Sequence, residues 1–463
     1  MTPADSPSTA AAIPFREALR FWLKLGFVSF GGPAGQIALM HEELVERRRW
    51  ISERRFLHAL NYCMLLPGPE AQQLATYIGW LMHRTWGGIV AGALFVLPSL
   101  VLLVALAGAY VAFGDLPWVQ GVFYGIKPAV TAIVLQAAWR IGGRTLRHPL
   151  LWAIAVAAFV AIFAFAVPFP LIVIGAALLG TLASRRWPAA FVTGAGHGPR
   201  KRPAATGAAA GAAAGAGRDA TPPVIDDDTP TPEALRFRPR RLATVVGVAL
   251  LLWAVPLGLL AWTTGWDGTL AQMGWFFTKA ALLTFGGAYA VLPYVWQGAV
   301  LQYAWLTPAQ MIDGLALGET TPGPLIMVVA FVAFVGGWTQ APLGPGREAE
   351  AAVLAALLVT WFTFLPSFMF VLAGGPLIEA THGELAFTAP LTAITAAVVG
   401  VIVNLGVFFA WHVFWPRGAA GPFDPLAAAI ALAAALALLV GRRGVVEVIA
   451  ASAAAGLVAT LLH

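Results

Sequence analysis

The sequence predicts an all-α polytopic membrane protein built from two homologous halves in inverted orientation. Three observations predict it: the composition, a repeated block of helix-breaking residues, and the distribution of arginine. Of the 463 residues, 59% are hydrophobic and 11% are charged, whereas a soluble domain carries about 25% charged residues. Apolar runs long enough for a helix to cross a bilayer core recur along the chain. The lipid bilayer is therefore the first partner that the sequence predicts.

The second observation is a block that recurs 255 positions later with its helix breakers in place. Phe30-Gly31-Gly32 returns as Phe285-Gly286-Gly287, and Pro67-Gly68-Pro69 returns as Pro322-Gly323-Pro324. Broken backbone inside a hydrophobic stretch is tolerated only where protein buries it or where it lines a cavity. Matched breaks in two halves are the sequence sign of a secondary transporter's substrate site.

The similarity continues beyond this block and indicates how the chain is organised. Leu97-Pro98-Ser99 recurs as Leu365-Pro366-Ser367, 268 positions later. The stretch between the halves is rich in Gly, Ala, Pro and charge, so we expect a disordered cytoplasmic linker there. The expected parts are a disordered N-terminus (1–14), a first repeat (15–184), the linker (185–241), a connecting transmembrane helix (242–262) and a second repeat (269–463).

Arginine predicts the orientation of the halves. Basic clusters that flank hydrophobic segments mark cytoplasmic loops, and this distribution argues against a nucleic-acid partner. The Arg-rich loop Glu46–Arg55 corresponds in the second half to Leu301–Gln310, which has no charge. The first half therefore starts and ends inside, and the connecting helix makes the second half run upside down. A cytoplasmic Glu46–Arg55 requires re-entrant hairpins on both sides of it, which we favour; full crossings would place this loop outside.

Lysine is used sparingly and in specific places. Three of the four lysines, Lys24, Lys127 and Lys279, lie inside apolar segments, and Lys24 and Lys279 are repeat equivalents. An ammonium group at membrane depth costs roughly 2.5–3.5 kcal/mol on insertion scales, so it usually faces a cavity or a partner. The alternative is that these side chains reach to the lipid headgroups.

The breaks predict an anion site. A half-helix that begins after a break points free N–H groups and the positive end of its dipole into the membrane. The alternative is a kink needed only for close helix packing. The substrate-binding candidates are Lys24, Gly31, Gly32, Asn61, Gly68, Gln72, Gln73, Lys127, Lys279, Gly286, Gly287, Thr320, Thr321 and Gly323.

Two carboxylates beside the second break, Glu70 and Glu319, are candidates for proton coupling. An acid within the membrane marks a proton relay or an ion path by default, and the alternative is a structural hydrogen bond or ion pair. Cys63 is the only cysteine, so we expect neither a disulfide framework nor a cysteine metal cluster. No metal and no cofactor is predicted.

The sequence resembles the chromate ion transporter (CHR) family in its long, two-domain form. The resemblance implies two antiparallel homologous halves and efflux of chromate across a bacterial inner (plasma) membrane. It also implies that the proton gradient or the membrane potential drives transport, and that chromate resistance results. The family usually has Gln where this chain has Glu319. The residues that carry the resemblance are Phe30–Pro33, Leu66–Pro69, Gln72, Thr284–Gly287, Trp305–Thr307 and Gly318–Pro324.

Alternatives to chromate transport remain at the level of sequence. Chromate and sulfate are both tetrahedral dianions, so a carrier of sulfate or of another oxyanion is the first alternative. A membrane-embedded polyprenyl-phosphate phosphatase would need a nucleophile with a compact carboxylate and arginine cluster, whereas arginine is nearly absent from the apolar segments. We therefore expect a transporter and not an enzyme. Transport direction, coupling ion and assembly, including a homodimer, stay open.

Overall fold

The fold is all-helical, as the sequence predicts. The computed structural model describes residues 13–30, 32–191, 223–226, 237–285, 287–380, 388–418 and 420–462. These residues form sixteen α-helices and no β-strand, and seven of the helices are long and apolar enough to cross a membrane. The first half contains α1 (Phe15–Val28), α2 (Gly32–His41), α3 (Glu53–Cys63), α4 (Glu70–Phe113), α5 (Pro117–Thr145), α6 (Pro149–Phe165) and α7 (Phe169–Arg186).

Among the described residues, the helix α8 connects the two halves. It covers the predicted connecting segment and packs against the second half, where the Trp253 indole N–H donates to the Thr278 hydroxyl at 3.0 Å. The helices after the linker are α8 (Pro239–Thr264), α9 (Thr269–Leu282), α10 (Ala288–Trp296), α11 (Pro308–Thr320), α12 (Val328–Gln340), α13 (Glu348–Ala380), α14 (Thr388–Phe414), α15 (Pro425–Leu439) and α16 (Val445–Leu462).

The backbone repeats with the same 255-residue offset as the sequence. A six-residue π-helical turn follows α2 at Glu42–Arg47 and follows α10 at Gln297–Gln302. Just after these turns, Arg49 and Ala304 both have positive φ, 51° and 49°. Non-glycine residues rarely adopt such a conformation, so its recurrence at equivalent positions shows that the two halves share one local fold.

The helices α1 and α2 form a re-entrant hairpin. At the start of α1, the Phe15 ring lies 5.2 Å from the His83 ring. After the break, α2 runs back to the same end, where the Arg48 guanidinium lies 3.4 Å from the Glu17 carboxylate. The chain therefore enters and leaves on one side, and the glycine-rich break forms the tip of the hairpin.

The helix α3 and the first part of α4 form a second re-entrant hairpin from the same side. Near the start of α3, the Arg55 guanidinium lies 2.8 Å from the Glu379 carboxylate. That carboxylate also accepts a hydrogen bond from Tyr77 of α4 at 2.6 Å. Since Arg55 and Tyr77 reach the same group, α3 and the first limb of α4 run side by side, with the Pro-Gly-Pro break at their tip.

The helix α4 folds back on itself instead of running straight. His83 and Arg84 leave the helical conformation, and Arg84 has a φ of 56°. A Cβ atom on Gly79 would lie 2.5 Å from both the Gly87 carbonyl oxygen and the Ala91 side chain. The first limb (residues 70–82) therefore returns to the entry side, and the second limb (85–113) then runs the full length of the bundle.

One described piece of the linker shows which side the first hairpins enter from. The Ile225 N–H donates to the Trp50 carbonyl at 3.0 Å, and the Ser52 N–H donates to the Ile225 carbonyl at 2.9 Å. The linker thus touches the Arg-rich loop, so both basic segments lie on one face. By the positive-inside rule that face is cytoplasmic. The rest of 192–236, where we predicted disorder, lies outside the described residues.

The helices form two groups, and each group contains helices from both halves. The hairpin body comprises α1–α4 and α9–α13, and the frame comprises α5–α7 and α14–α16. Within the frame, α5 packs on α15 and α16, while α14 packs on α6 and α7. Small residues allow this: a Cβ on Gly125 would lie 1.9 Å from the Ser452 carbonyl oxygen, and one on Gly400 would lie 1.9 Å from that of Ala155. Each half therefore completes the frame of the other.

Candidate functional site

The breaks of the two halves meet and bond to each other. The Gly323 N–H donates to the Ser29 carbonyl, and the Gly68 N–H donates to the Thr284 carbonyl, both at 2.8 Å. Ser29 and Thr284 are repeat equivalents, and so are Gly68 and Gly323. The two bonds are thus related by the two-fold pseudosymmetry of the inverted halves. The second half has corresponding breaks between α9 and α10 and between α11 and α12. We call the place where the four breaks, at Ser29, Gly68, Thr284 and Gly323, meet the crossing.

Glycine is required at the crossing for two reasons. Gly68 and Gly323 have φ values of 126° and 97°, which L side chains rarely adopt. In addition, a Cβ on Gly68 would lie 2.3 Å from the Ser367 hydroxyl, and one on Gly323 would lie 2.7 Å from the Ser99 Cβ. The two serines come from the repeated Leu-Pro-Ser motif, so each tip packs against a serine of the opposite half.

The electrostatics of the crossing favour an anion. Helices α2, α4 and α10 begin at the tips, and a helical turn at Leu325–Met327 leads from the fourth tip into α12. Their N-termini therefore converge there with positive partial charge and free N–H groups. The carbonyls of Ser29 and Thr284, where α1 and α9 end, are occupied by the crossing bonds. These two carbonyl acceptors are therefore already hydrogen-bonded, whereas N–H donors at the helix N-termini remain.

Buried polar atoms without a partner surround the crossing. Gln36 donates to the Gly323 carbonyl, and Gln73 donates to the Pro67 carbonyl, so both amides are held at the tips. An unsatisfied buried polar group costs about 1–3 kcal/mol, and a bound ligand or an ordered water that satisfies the group removes that cost. Among the described residues, the atoms near the crossing that lack a partner are Gln36 Oε1, Gln72 Oε1, Gln73 Oε1, Ser99 Oγ and Thr363 Oγ1.

The polar candidates of the second half lie at the end of α11. The Thr320 and Thr321 hydroxyls donate to the backbone carbonyls of Leu317 and Gly318, at 2.9 and 3.1 Å. Both hydroxyl protons are therefore engaged within α11. Glu319 is partly exposed and accepts a hydrogen bond from the Tyr289 hydroxyl.

The candidates of the first half lie around α3 and α4. Glu70 is the first residue of α4 and is partly exposed, while Asn61 on α3 is exposed. The backbone of Gly32 and Gly287 has φ values of 71° and 98°, which is consistent with their place at the tips. Gly31 and Gly286 lie outside the described residues.

The three lysines do not come together at the crossing. Lys24 lies on the exposed face of α1, and Lys279 is partly exposed, with its Nζ 5.7 Å from the Trp275 ring. The Lys127 Nζ lies 3.4 Å from the Asp313 carboxylate. Sequence reasoning placed all three in the substrate site because of their depth in the membrane. Their helix faces, which depth does not reveal, direct Lys24 and Lys279 outward.

The two sides of the crossing differ in how fully their helices are buried. All nine residues of α10 are buried, whereas α2 buries only Gln36 and Met40. The α3 residue Asn61 is exposed, while its repeat equivalent in α11, Ala316, is 1% exposed. On the outer side α10 and α11 pack against the frame, while α2 and α3 pack mainly on α4. The cytoplasmic side is therefore the less tightly packed of the two, and the side chains at the crossing itself are buried.

Sequence reasoning missed four residues that the structure brings to the crossing. Ser99 and Ser367 lie against the opposite tips, Thr363 lies one turn before Ser367, and Gln36 bonds to the Gly323 carbonyl. The signal for the serines was present in the repeated Leu-Pro-Ser motif, which we used only to align the halves. Gln36 carried no such signal, because its equivalent in the second half is the apolar residue Val291.

Comparison with known proteins assigns both halves to one family. A family model described as chromate transporter matches residues 16–181 and 271–457. The chromate transport protein of Pseudomonas aeruginosa is 30% identical over 405 residues, which cover 87% of this chain and 82% of that protein. No solved structure matches the chain.

Other relatives match over one half only. The chromate transport protein of Cupriavidus metallidurans is 40% identical over 33% of this chain, and a probable chromate transport protein of Synechococcus elongatus is 39% identical over 31% of it. These matches span 38% and 37% of the length of those two proteins. With its apolar helices, the chain is a multi-pass bacterial membrane protein.

Proposed function

The chain belongs to the chromate transporter family, and from this membership we propose that it carries chromate across the membrane through the crossing. The observation that supports the site most strongly is the set of unpartnered polar atoms where the four tips meet. The Ser99 and Thr363 hydroxyls can each donate to an oxygen of the ion. The Gln72 amide can turn over to present N–H groups, since amide orientation follows the hydrogen-bond network. A tetrahedral oxyanion is the chemistry that such a ring of donors suits.

The proposal includes transport by alternating access. In a protein with inverted halves, the two halves can exchange conformations, so that the site near the midplane faces first one side of the membrane and then the other. The looser packing on the cytoplasmic side, marked by exposed Asn61 against buried Ala316, supports loading of the ion from that side. Efflux of cytoplasmic chromate is therefore the direction that we propose.

Proton coupling is assigned in the proposal to Glu319 and Glu70. Both carboxylates are partly exposed beside the tips, so each can exchange a proton with water that reaches the tips. The Tyr289 hydroxyl bonds to Glu319 and fixes the position of its carboxylate. An anion that enters next to an ionised glutamate is repelled, so binding and protonation would be coupled.

The lysines retain a role at longer range. Lys24 and Lys279 lie one to two turns before the tips of α1 and α9, and a positive charge within the membrane raises the local concentration of anions. Both parts of the crossing come from one chain, so the proposal does not require a homodimer. In this proposal the outward-facing lysines assist the approach and release of the anion, and the uncharged hydroxyl and amide donors of the crossing bind it.

Chromate flux into inverted vesicles tests this function. Vesicles that carry the protein should accumulate radiolabelled chromate when a proton gradient is imposed, and a protonophore should reduce the uptake. Sulfate in excess serves as the competitor that separates a chromate carrier from a general oxyanion carrier. Uptake equal to that of vesicles without the protein would refute the proposal. Uptake abolished by sulfate and matched by labelled sulfate would assign the chain to the alternative substrate.

A further inference from the structure

A buried ion pair joins the hairpin body to the frame on the outer side. Asp313 of α11 has a side chain only 4% exposed, and its Oδ2 lies 3.4 Å from the Nζ of Lys127 on α5. The Tyr110 hydroxyl, near the end of α4, donates to the same oxygen at 2.9 Å. Asp313 and Tyr110 belong to the hairpin body, whereas Lys127 belongs to the frame. The ion pair is therefore a direct link between the two groups of helices.

The cytoplasmic side has a related cluster with a different connection. Arg55 of α3 and Tyr77 of α4 both contact Glu379 at the end of α13. By the repeat, α3 corresponds to α11, and the position of Tyr110 corresponds to Ile378, next to Glu379. Arg55, Tyr77 and Glu379 all belong to the hairpin body. This cluster holds the body together, whereas its outer counterpart also binds the frame.

Aromatic contacts show the same difference between the two sides. Trp296, at the end of α10, lies 4.1 Å from the Phe408 ring of α14. Next to it, the Gln297 side chain accepts a hydrogen bond from the Phe169 N–H of α7 at 3.1 Å. The cytoplasmic equivalent of Trp296 is His41, which packs on Phe56 of α3 at 5.2 Å. Contacts between body and frame on the outer side are thus replaced by contacts within the body on the inner side.

We infer that the Lys127–Asp313 pair and the Trp296–Phe408 contact form the outer gate of the transporter, which opens once in each cycle. This inference rests on the proposed transport function. The structure is then a state closed on the outer side, and the outward-open state arises when these contacts separate. Two features suit a contact that must break. Lys127 keeps 29% of its side chain exposed, and Asp313 Oδ1 has no partner among the described residues.

Cysteine accessibility tests whether this pair holds the outer side closed. In a Cys63→Ala background, Ala316→Cys reports on the outer side and Asn61→Cys on the cytoplasmic side. We expect a membrane-impermeant maleimide applied from outside to label Ala316→Cys slowly in otherwise unchanged protein. Asp313→Asn should increase this rate about tenfold or more, because removing one member of a buried pair leaves the other charge uncompensated. Labelling of Asn61→Cys in inverted vesicles should fall in the same variant.

The control is another ion pair on the outer loops. Arg347 and Glu350 form an exposed pair at 2.5 Å, and exposed pairs contribute little to stability. Glu350→Gln should leave both labelling rates unchanged. The inference is overturned if Lys127→Gln and Asp313→Asn both leave the labelling rate of Ala316→Cys at its original value.

Cross-linking provides a test that does not depend on disrupting the ion pair. Trp296→Cys with Phe408→Cys, in the Cys63→Ala background, places two thiols across the gate. A short, reducible bifunctional methanethiosulfonate should stop chromate transport in the double variant, and reduction should restore it. In each single variant the treatment should leave that variant's own transport rate unchanged, because one thiol alone cannot be cross-linked. Undiminished transport after complete cross-linking would show that this contact never opens.

The failure of this inference differs from the failure of the proposed function. If the unmodified protein moves no chromate, the transport proposal fails, while the labelling rates still report on the gate. If chromate moves at the normal rate through cross-linked protein, transport stands and the gate assignment fails.

Discussion

Replacing Gly323 with Ala perturbs the crossing at a single Cβ atom. Gly323 has a φ of 97°, and the added Cβ would lie 2.7 Å from the Ser99 Cβ. Gly287 provides a matched comparison, because its φ is 98° but no atom lies within 4 Å of its Cβ position. Comparing Gly323→Ala with Gly287→Ala therefore separates the free-energy cost of backbone strain from that of crowding.

The magnitudes follow from these two terms. A non-glycine residue held in a sparsely populated backbone region costs about 1–3 kcal/mol, and this applies to both variants. Gly323→Ala also overpacks the contact with Ser99, which adds about 1–3 kcal/mol. Gly258→Ala on α8 has neither cost, since it is helical with open space around it, and alanine is about 1 kcal/mol more favourable than glycine in a helix.

The assay is the thermal midpoint of purified protein in detergent, together with chromate uptake. We expect the midpoint to fall most in Gly323→Ala, less in Gly287→Ala, and not at all in Gly258→Ala. Chromate uptake by Gly323→Ala should fall on the order of tenfold, because small displacements of positioning groups have large effects. Equal midpoints for Gly323→Ala and Gly287→Ala would show that the tip does not press against Ser99, and the geometry of the crossing would be refuted.

Three further predictions concern the charged residues. Glu319→Gln should flatten the pH dependence of chromate uptake, because the amide cannot exchange a proton; an unchanged pH profile removes Glu319 as the coupling group. Lys24→Ala and Lys279→Ala should each reduce uptake severalfold at low ionic strength and less at high salt, since screening weakens long-range attraction. Uptake insensitive to salt and to both substitutions would exclude that role. Arg55→Ala should destabilise the protein by about 3–5 kcal/mol, because it leaves the buried Glu379 carboxylate without its arginine. A thermal midpoint equal to that of the unmodified protein would contradict the stabilising role of the contact between Arg55 and Glu379.

The repeat made much of the fold predictable from sequence. The offset between Phe30-Gly31-Gly32 and Phe285-Gly286-Gly287 identified equivalent segments, and the arginines of Glu46–Arg55 indicated opposite orientations. Both inferences depend only on local sequence and on the cost of charge in a bilayer. The re-entrant hairpins followed for the same reason, because a basic loop on the cytoplasmic side requires the flanking segments to return there.

The site was only partly predictable because it depends on contacts between the halves. The bond from the Gly323 N–H to the Ser29 carbonyl joins residues almost 300 positions apart, and nothing in either segment identifies its partner. The place of Lys24 depends on the face of its helix as well as on its depth. Arg16, Arg20 and Lys24 follow one another at four-residue spacing on the exposed face of α1, whereas Phe21, Trp22 and Leu25 are buried on the other face.

The central claim is that the neutral donors at the crossing bind the oxyanion, and equilibrium binding of chromate to purified protein tests it most directly. The double variant Ser99→Ala with Thr363→Val removes two unpartnered hydroxyls and breaks no hydrogen bond seen in the described residues. We predict a Kd for chromate at least about tenfold higher than in the unmodified protein, which corresponds to about 1.4 kcal/mol, with no loss of thermal stability. An unchanged Kd in the folded double variant would contradict the account.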